Sequence, residues 1–261
     1  MRVPLFQVDA FTTHRFAGNP AAVMVLDEFP DDAVLHALAA ENNLAETAFL
    51  VADGFDYQLR WFTPVVEVPL CGHGTLASAA VVMERLQCER REVTFHTASG
   101  PLIVRRMDAS YVMDLPVRVT ASVSPPPALS EALGVSPLEV LVDAGNYTAV
   151  LADVRTVREL TPDFAAIARL DRAGVAITAA GDAPYDFVSR YFAPAKGVPE
   201  DPVTGGAHCA LTPYWAKRLG KTELRAYQAS RRGGEILCRL AGERIELEGS
   251  CAFYLEGVAK I

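Results

Sequence analysis

Alternating or continuous apolar runs lie along "PLFQVDAF", "AAVMVLD", "ETAFLVAD" and "YQLRWF", and again along "EVTFHT", "PLIVRR" and "SYVMDL". Each stretch predicts a strand. Between them, residues 31–42 and 73–86 carry the spacing of helices. The second half of the chain repeats the plan. Strands are predicted at "LEVLVDAG", "YTAVLADV", "GVAITAA", "YDFVSRYF", "ELRAYQAS", "EILCRL", "RIELEG" and "CAFYLEG", and helices near 162–170 and 206–219. The order strand, strand, helix, strand, strand, helix, strands is thus used twice, which places the chain in the α/β class.

Short motifs recur at matching offsets, the sign of an internal repeat. "AGNPAAV" at Ala17–Val23 returns as "AGNYTAV" at Ala144–Val150, the glycines 127 positions apart. "RWFTP" at Arg60–Pro64 returns as "RYFAP" at Arg190–Pro194, 130 apart, and both apolar helical runs end in Arg-Leu, at Arg85 and Arg218, 133 apart. The segment "VRVTASVSPPPALS" has the Pro and Ser content of a linker and sits where a boundary belongs. Two lobes are expected, residues 1–118 and 119–261.

Composition narrows the partners. A net charge of −8 disfavours nucleic acid and anionic membranes, which require concentrated basic surface. No apolar stretch has the length of a signal peptide or a membrane span, so a cytoplasmic protein is the expectation. Five cysteines without CxxC spacing argue against a disulfide framework and a structural zinc site. His14, His36 and His96 have no partner pattern, and adjacent His208 and Cys209 would strain as metal ligands.

Each copy places glycines where an apolar helix begins: Gly72 and Gly74 in the first, Gly205 and Gly206 in the second. Peptide N–H groups at such ends lack intrahelical partners and suit a carboxylate. The plainer alternative is that these glycines only permit tight turns. No P-loop or GxGxxG is present, so nucleotides are not implied. An asymmetric substrate needs residues that the copies do not share. Glu46 lies among Leu44, Ala45, Ala48 and Phe49, and its counterpart falls near Gly174 or Ala176; a carboxyl among apolar neighbours suits proton uptake and return. His73, at a helix start where the dipole favours the neutral ring, either assists proton transfer or caps and packs. Asp201 is either a turn residue or a carboxylate partner of His73. Cys71 and Cys209 flank the two glycine turns and raise the possibility of a thiol pair, since helix starts favour thiolate. Their positions in the repeat are not equivalent. Cys88, Cys238 and Cys251 read as core or strand residues.

Together "DAFTTHRFAGNPAAV", "NLAETAFL", "RWFTPVVEVPLCGHGTLASAA", "EDPVTGGAHCAL" and "SRRGGEI" resemble the PhzF-like family of phenazine biosynthesis, within the diaminopimelate-epimerase fold. The resemblance implies two pseudo-symmetric α/β lobes, each a barrel-like sheet around a central helix. It also implies isomerisation by proton transfer in a cleft between lobes, with no metal or organic cofactor and a small-molecule substrate, and it suggests a homodimer. On that basis Glu46 is the general acid/base, Gly72 and His73 form the glycine-histidine turn, Asp201 is the site aspartate and Asn19 lines the cleft. The family motif often reads TGSA, and here its serine position is Gly206. Cysteine-dependent relatives supply a thiol from both lobes, whereas this chain has Cys71 on one side and Asp201 on the other. The expected function is movement of a carbon-bound proton on a small carboxylated metabolite. The rivals are a racemase using Cys71 and a metabolite-binding protein without turnover.

Overall fold

The computed structural model describes residues 2–261. Contacts group the chain into two compact units, one reaching Leu115 and also holding Glu246–Ile261, the other spanning Pro116–Ile245.

The first unit contains β1 (Arg2–Ala10), β2 (Asn19–Leu26), α1 (Asp32–Asn42), β3 (Glu46–Asp53), β4 (Asp56–Phe62), β5 (Glu67–Val68), α2 (Gly72–Val81), β6 (Glu92–Thr97), β7 (Gly100–Met107) and β8 (Ser110–Pro116). The second contains β9 (Ala121–Val123), α3 (Pro127–Leu133), β10 (Glu139–Val142), β11 (Asn146–Val150), α4 (Val154–Glu159), α5 (Phe164–Ala168), β12 (Gly174–Ala180), β13 (Phe187–Ala193), β14 (Val198–Asp201), α6 (Gly205–Leu219), β15 (Glu223–Gln228) and β16 (Gly234–Ala241). β17 (Arg244–Gly249) crosses the boundary, and β18 (Cys251–Lys260) ends the chain.

Pairing reproduces the repeat strand by strand. In the first unit β1–β2 is antiparallel, β2–β3 parallel, β3–β4 antiparallel, β4–β6 parallel and β6–β7 antiparallel. β10–β11, β11–β12, β12–β13, β13–β15 and β15–β16 follow the same sequence of senses. Arg60 faces Phe49 across β3–β4, and Arg190 faces Ile177 across β12–β13. Each arginine grips a glutamate, Glu67 at 2.8 Å and Glu200 at 2.7 Å, and lies 5.0 Å over the Phe two residues on, Phe62 or Phe192.

The two lobes are not contiguous halves. β18 pairs antiparallel along β1, taking beside it the place that β9 takes beside β10. The sequence division at 118/119 therefore differs from the observed grouping chiefly at the C-terminus, where backbone hydrogen bonds to β1 draw the last strand into the first unit. The Pro- and Ser-rich segment is not a free linker either. Its residues form β9 and the first turn of α3, with Pro127 at a position where a missing N–H costs nothing, Leu129 and Leu133 buried, and Gly134 left-handed at the C-cap. The strand expected over 147–154 stops at Val150, because Asp153 caps α4 by accepting from Thr156 N.

Both central helices follow from their composition. All ten residues of α2, GHGTLASAAV, are buried, and small side chains let the backbone approach β1, β2, β3 and β18. Its interior hydroxyls are satisfied locally, Thr75 Oγ1 donating to Cys71 O (2.6 Å) and Ser78 Oγ to Gly74 O (2.7 Å). The helix continues as a π-helical turn, Val82–Leu86. α6 buries Leu211 and Trp215 and carries Lys217 and Arg218 in its last turn, complementing the dipole. Pro213 inside it has no N–H for Cys209 O, and Arg118 N supplies the missing donor at 3.0 Å.

Candidate active site

Glu46 opens β3 opposite Ala21 of β2, with its side chain 16% exposed. One of its carboxylate oxygens, Oε2, lies 3.1 Å from His73 Nε2, an ion contact not aligned as a hydrogen bond. The other ring nitrogen, Nδ1, is 3.0 Å from Asn19 Nδ2 at the start of β2. A neutral amide nitrogen only donates, so this contact is a hydrogen bond when Nδ1 carries the lone pair, which leaves the proton on Nε2 facing Glu46. Strand β2 thereby sets the imidazole tautomer, and strand β3 brings the carboxylate to the protonated edge.

Cys71 is the N-cap of α2, and its sulfur accepts from Gly74 N at 3.3 Å. The sulfur also lies 3.5 Å from His73 Nδ1. Gly72 and His73 precede the first helical hydrogen bond, Thr75 N to Cys71 O, so their N–H groups belong to the free set of a helix start. Gly74 answers a second demand: a Cβ there would stand 2.9 Å from Trp61 Cδ1 and 3.0 Å from Cys71 Sγ.

Burial alone would lower the basicity of His73, but the adjoining Cys71 sulfur and Glu46 carboxylate outweigh it and hold the imidazole well above the usual histidine range. The neighbouring carboxylate thus opposes the helix dipole, which favours the neutral ring. Cys71 moves the other way from its expectation. Burial, reinforced by Glu46, pushes the thiol up to about 11, so the N-cap position does not make a thiolate at neutral pH. Glu46, Cys71 and His73 offer ligand-type atoms within 4.8 Å of one another, a composition that metals use. Both nitrogens of His73 already face other partners, which suits a proton network better than coordination.

Asp201, Gly205 and Gly206 belong to the second unit, and the first-unit cluster of Glu46, Cys71 and His73 does not contain them. Asp201 ends β14, where its carboxylate accepts from Thr204 Oγ1 and its carbonyl accepts from Gln228 Nε2 at 2.7 Å. Counting from the helix starts, Gly206 is the counterpart of His73 and Thr204 that of Cys71. A Cβ at Gly206 would sit 3.3 Å from Arg118 Nη2, so a serine there would press the guanidinium aside by a few tenths of an ångström. Cys209 lies a turn inside α6, with its thiol pushed up to about 12 by burial.

The counterpart of Glu46 depends on which neighbour is used. Register with β4 and β13 selects Gly174, and register from Asn19 and Asn146 selects Ala176. Either way the carboxylate is absent. At Gly174 the space is filled instead: a Cβ would overlap Tyr191 Oη and Asn146 Oδ1, which are joined by a 2.7 Å hydrogen bond. Asn146 Nδ2 in turn donates to Asp143 at 2.9 Å. Sequence reasoning passed over Trp61, Tyr191 and Arg118. Trp61 and Tyr191 were visible as the second letters of the repeated "RWFTP" and "RYFAP", and the exchange of an indole for a phenol was the signal.

The phenazine biosynthesis-like protein family matches residues 8–259. An uncharacterized isomerase of Pseudomonas aeruginosa is 49% identical over 98% of both chains. The crystal structure of a PhzF family phenazine biosynthesis protein from Enterococcus faecalis superposes with a TM-score of 0.96 at 43% identity, covering 100% of each chain. A probable proline racemase from Agrobacterium radiobacter shares the fold alone, with a TM-score of 0.67 at 13% identity over 99% of this chain and 92% of that one. The fold is thus the α/β architecture of the diaminopimelate-epimerase type. With the match running nearly end to end, the chain belongs to the PhzF, or phenazine biosynthesis-like, protein family.

Proposed function

We propose that the protein is an isomerase that moves a carbon-bound proton on a small carboxylated metabolite, with Glu46 as the general acid/base and no metal or organic cofactor in the step. The observation that carries this reading is the buried contact of Glu46 Oε2 with His73 Nε2 at 3.1 Å, backed by Asn19 on the opposite ring nitrogen. Glu46 as carboxylate takes the proton from carbon. The electron pair left behind spreads onto the adjoining carbonyl or carboxylate oxygen, and the protonated Glu46 returns the proton to another carbon of the same molecule. The Nε2–H of His73 and the peptide N–H groups of Gly72 and His73 stabilise the developing charge.

A family relative named as an isomerase supports the reaction class. The Cys71 racemase is disfavoured by a thiol that stays protonated near neutral pH. Incubation with a metabolite mixture in heavy water, read by mass spectrometry, separates enzyme from binder, because a binder does not exchange carbon-bound hydrogen. Glu46→Gln is expected to lower protein-dependent deuterium uptake by about 10²–10⁴-fold. Full uptake by that variant overturns the assignment, and loss of uptake in Cys71→Ala with retention in Glu46→Gln would favour the thiol.

A further inference from the structure

Trp61 is 1% exposed, and its indole Nε1 has no hydrogen-bond partner among the described residues. An indole N–H can only donate, and a buried donor left unpaired is costly enough that native proteins rarely keep one. Its position is specific. Nε1 lies 3.3 Å from the point where a Cβ on Gly74 would stand, and Cys71 Sγ lies 3.0 Å from the same point. The unpaired N–H therefore reaches the opening turn of α2 at Gly74, next to the Cys71 sulfur. The second unit shows what a purely structural side chain does at this register: Tyr191, paired across to Ala176 as Trp61 is to Ala48, gives its hydroxyl proton to Asn146 at 2.7 Å. The other tryptophan also has a partner, with Trp215 Nε1 3.0 Å from Thr178 Oγ1.

We infer that Trp61 is a substrate-binding donor whose indole N–H meets an oxygen of a carboxylate or carbonyl at the start of α2. The inference rests on the acid–base reading above and deepens it by naming the group recognised: an oxygen attached next to the carbon that loses its proton. As Glu46 takes that proton, the electron pair moves to this oxygen, and the hydrogen bond from Trp61 shortens. No atom passes to or from the indole. Gly74 is glycine so that the indole edge can approach the helix start.

The protein labelled with ¹⁵N gives two indole signals, which Trp61→Phe assigns. Titration with acetate, malonate and pyruvate is expected to move the Trp61 signal downfield and slow its exchange with water, while the Trp215 signal stays in place. A Trp61 signal that remains fixed in all three titrations overturns the inference. Trp61→Phe is further expected to lower deuterium uptake by about 10²-fold, the loss typical of one donor to a developing oxyanion. The two readings fail separately. Deuterium uptake by the native protein with an unmoved Trp61 signal removes only the role of Trp61, whereas a shifted signal with full uptake in Glu46→Gln removes only the acid–base assignment.

Discussion

At the start of β2 and at the start of β11 the chain places the same residue, and the two asparagines do different work. Asn146 closes a network: it accepts from Tyr191, donates to Asp143, and fills the space over Gly174. Asn19 reaches His73 instead, and the glutamate that replaces Gly174 in register faces the same imidazole. The histidines of the helix starts diverge as well. His73 is held above its ordinary range by Cys71 and Glu46, whereas His208, in the first turns of α6, is lowered to about 4 by burial. One framework thus yields a copy in which asparagine and tyrosine satisfy each other and a copy with a carboxylate, an imidazole and an unpaired indole donor. Duplication supplies the scaffold, and the chemistry lies where the copies stop matching.

Breaking the closed copy should cost stability rather than reaction. Gly174→Ala inserts a methyl into the Tyr191–Asn146 hydrogen bond and is expected to destabilise by about 3 kcal/mol, combining overpacking with a lost buried bond. Denaturant melts check this, and deuterium uptake by the folded fraction should be unchanged. Gly74→Ala meets an indole and a sulfur at slightly longer range, so it should cost less stability and suppress uptake.

The histidines predict opposite responses to pH. His208 has a folded pKa below its unfolded value, so the unfolded chain binds the extra proton first. Stability should therefore be intact above about 6.5 and fall as pH drops towards 4, by on the order of 3 kcal/mol. Melts of His208→Gln should lack that share of the acid loss. His73, raised when folded, contributes stability that is complete below 6.5 and lost as pH rises through its folded value.

A smaller and sharper contrast comes from the asparagines. Asn146→Ala removes acceptor and donor from the closed network and should cost about 2 kcal/mol with uptake within threefold of native. Asn19→Ala should cost about 1 kcal/mol and lower uptake about tenfold, because the ring of His73 loses the donor that fixes its tautomer. Equal effects from the two substitutions would erase the distinction between the copies.

Much of the framework was legible in the sequence because period-two patterning and repeated anchors are local signals. The strands at Glu46–Asp53, Glu92–Thr97, Gly174–Ala180 and Arg244–Gly249 fall where the pattern put them. The pairing of β18 with β1 was not legible, since no local signal joins Arg2 to Lys260. α3 was hidden by the composition of its surroundings, although Pro127 and Gly134 are the punctuation of a helix. Glu46 and His73 stood out by motif, and their contact needed coordinates. Trp61 sits within the apolar strand run "YQLRWF", and its missing partner distinguishes it from Trp215.

The coupling of Glu46 to His73 is tested most directly by following the His73 ring signals by NMR as pH is raised, in the native protein and in Glu46→Gln. The account predicts that His73 titrates above the ordinary histidine value of 6.5 in the native protein and markedly lower once the carboxylate is gone. The same titration midpoint in both proteins would contradict it.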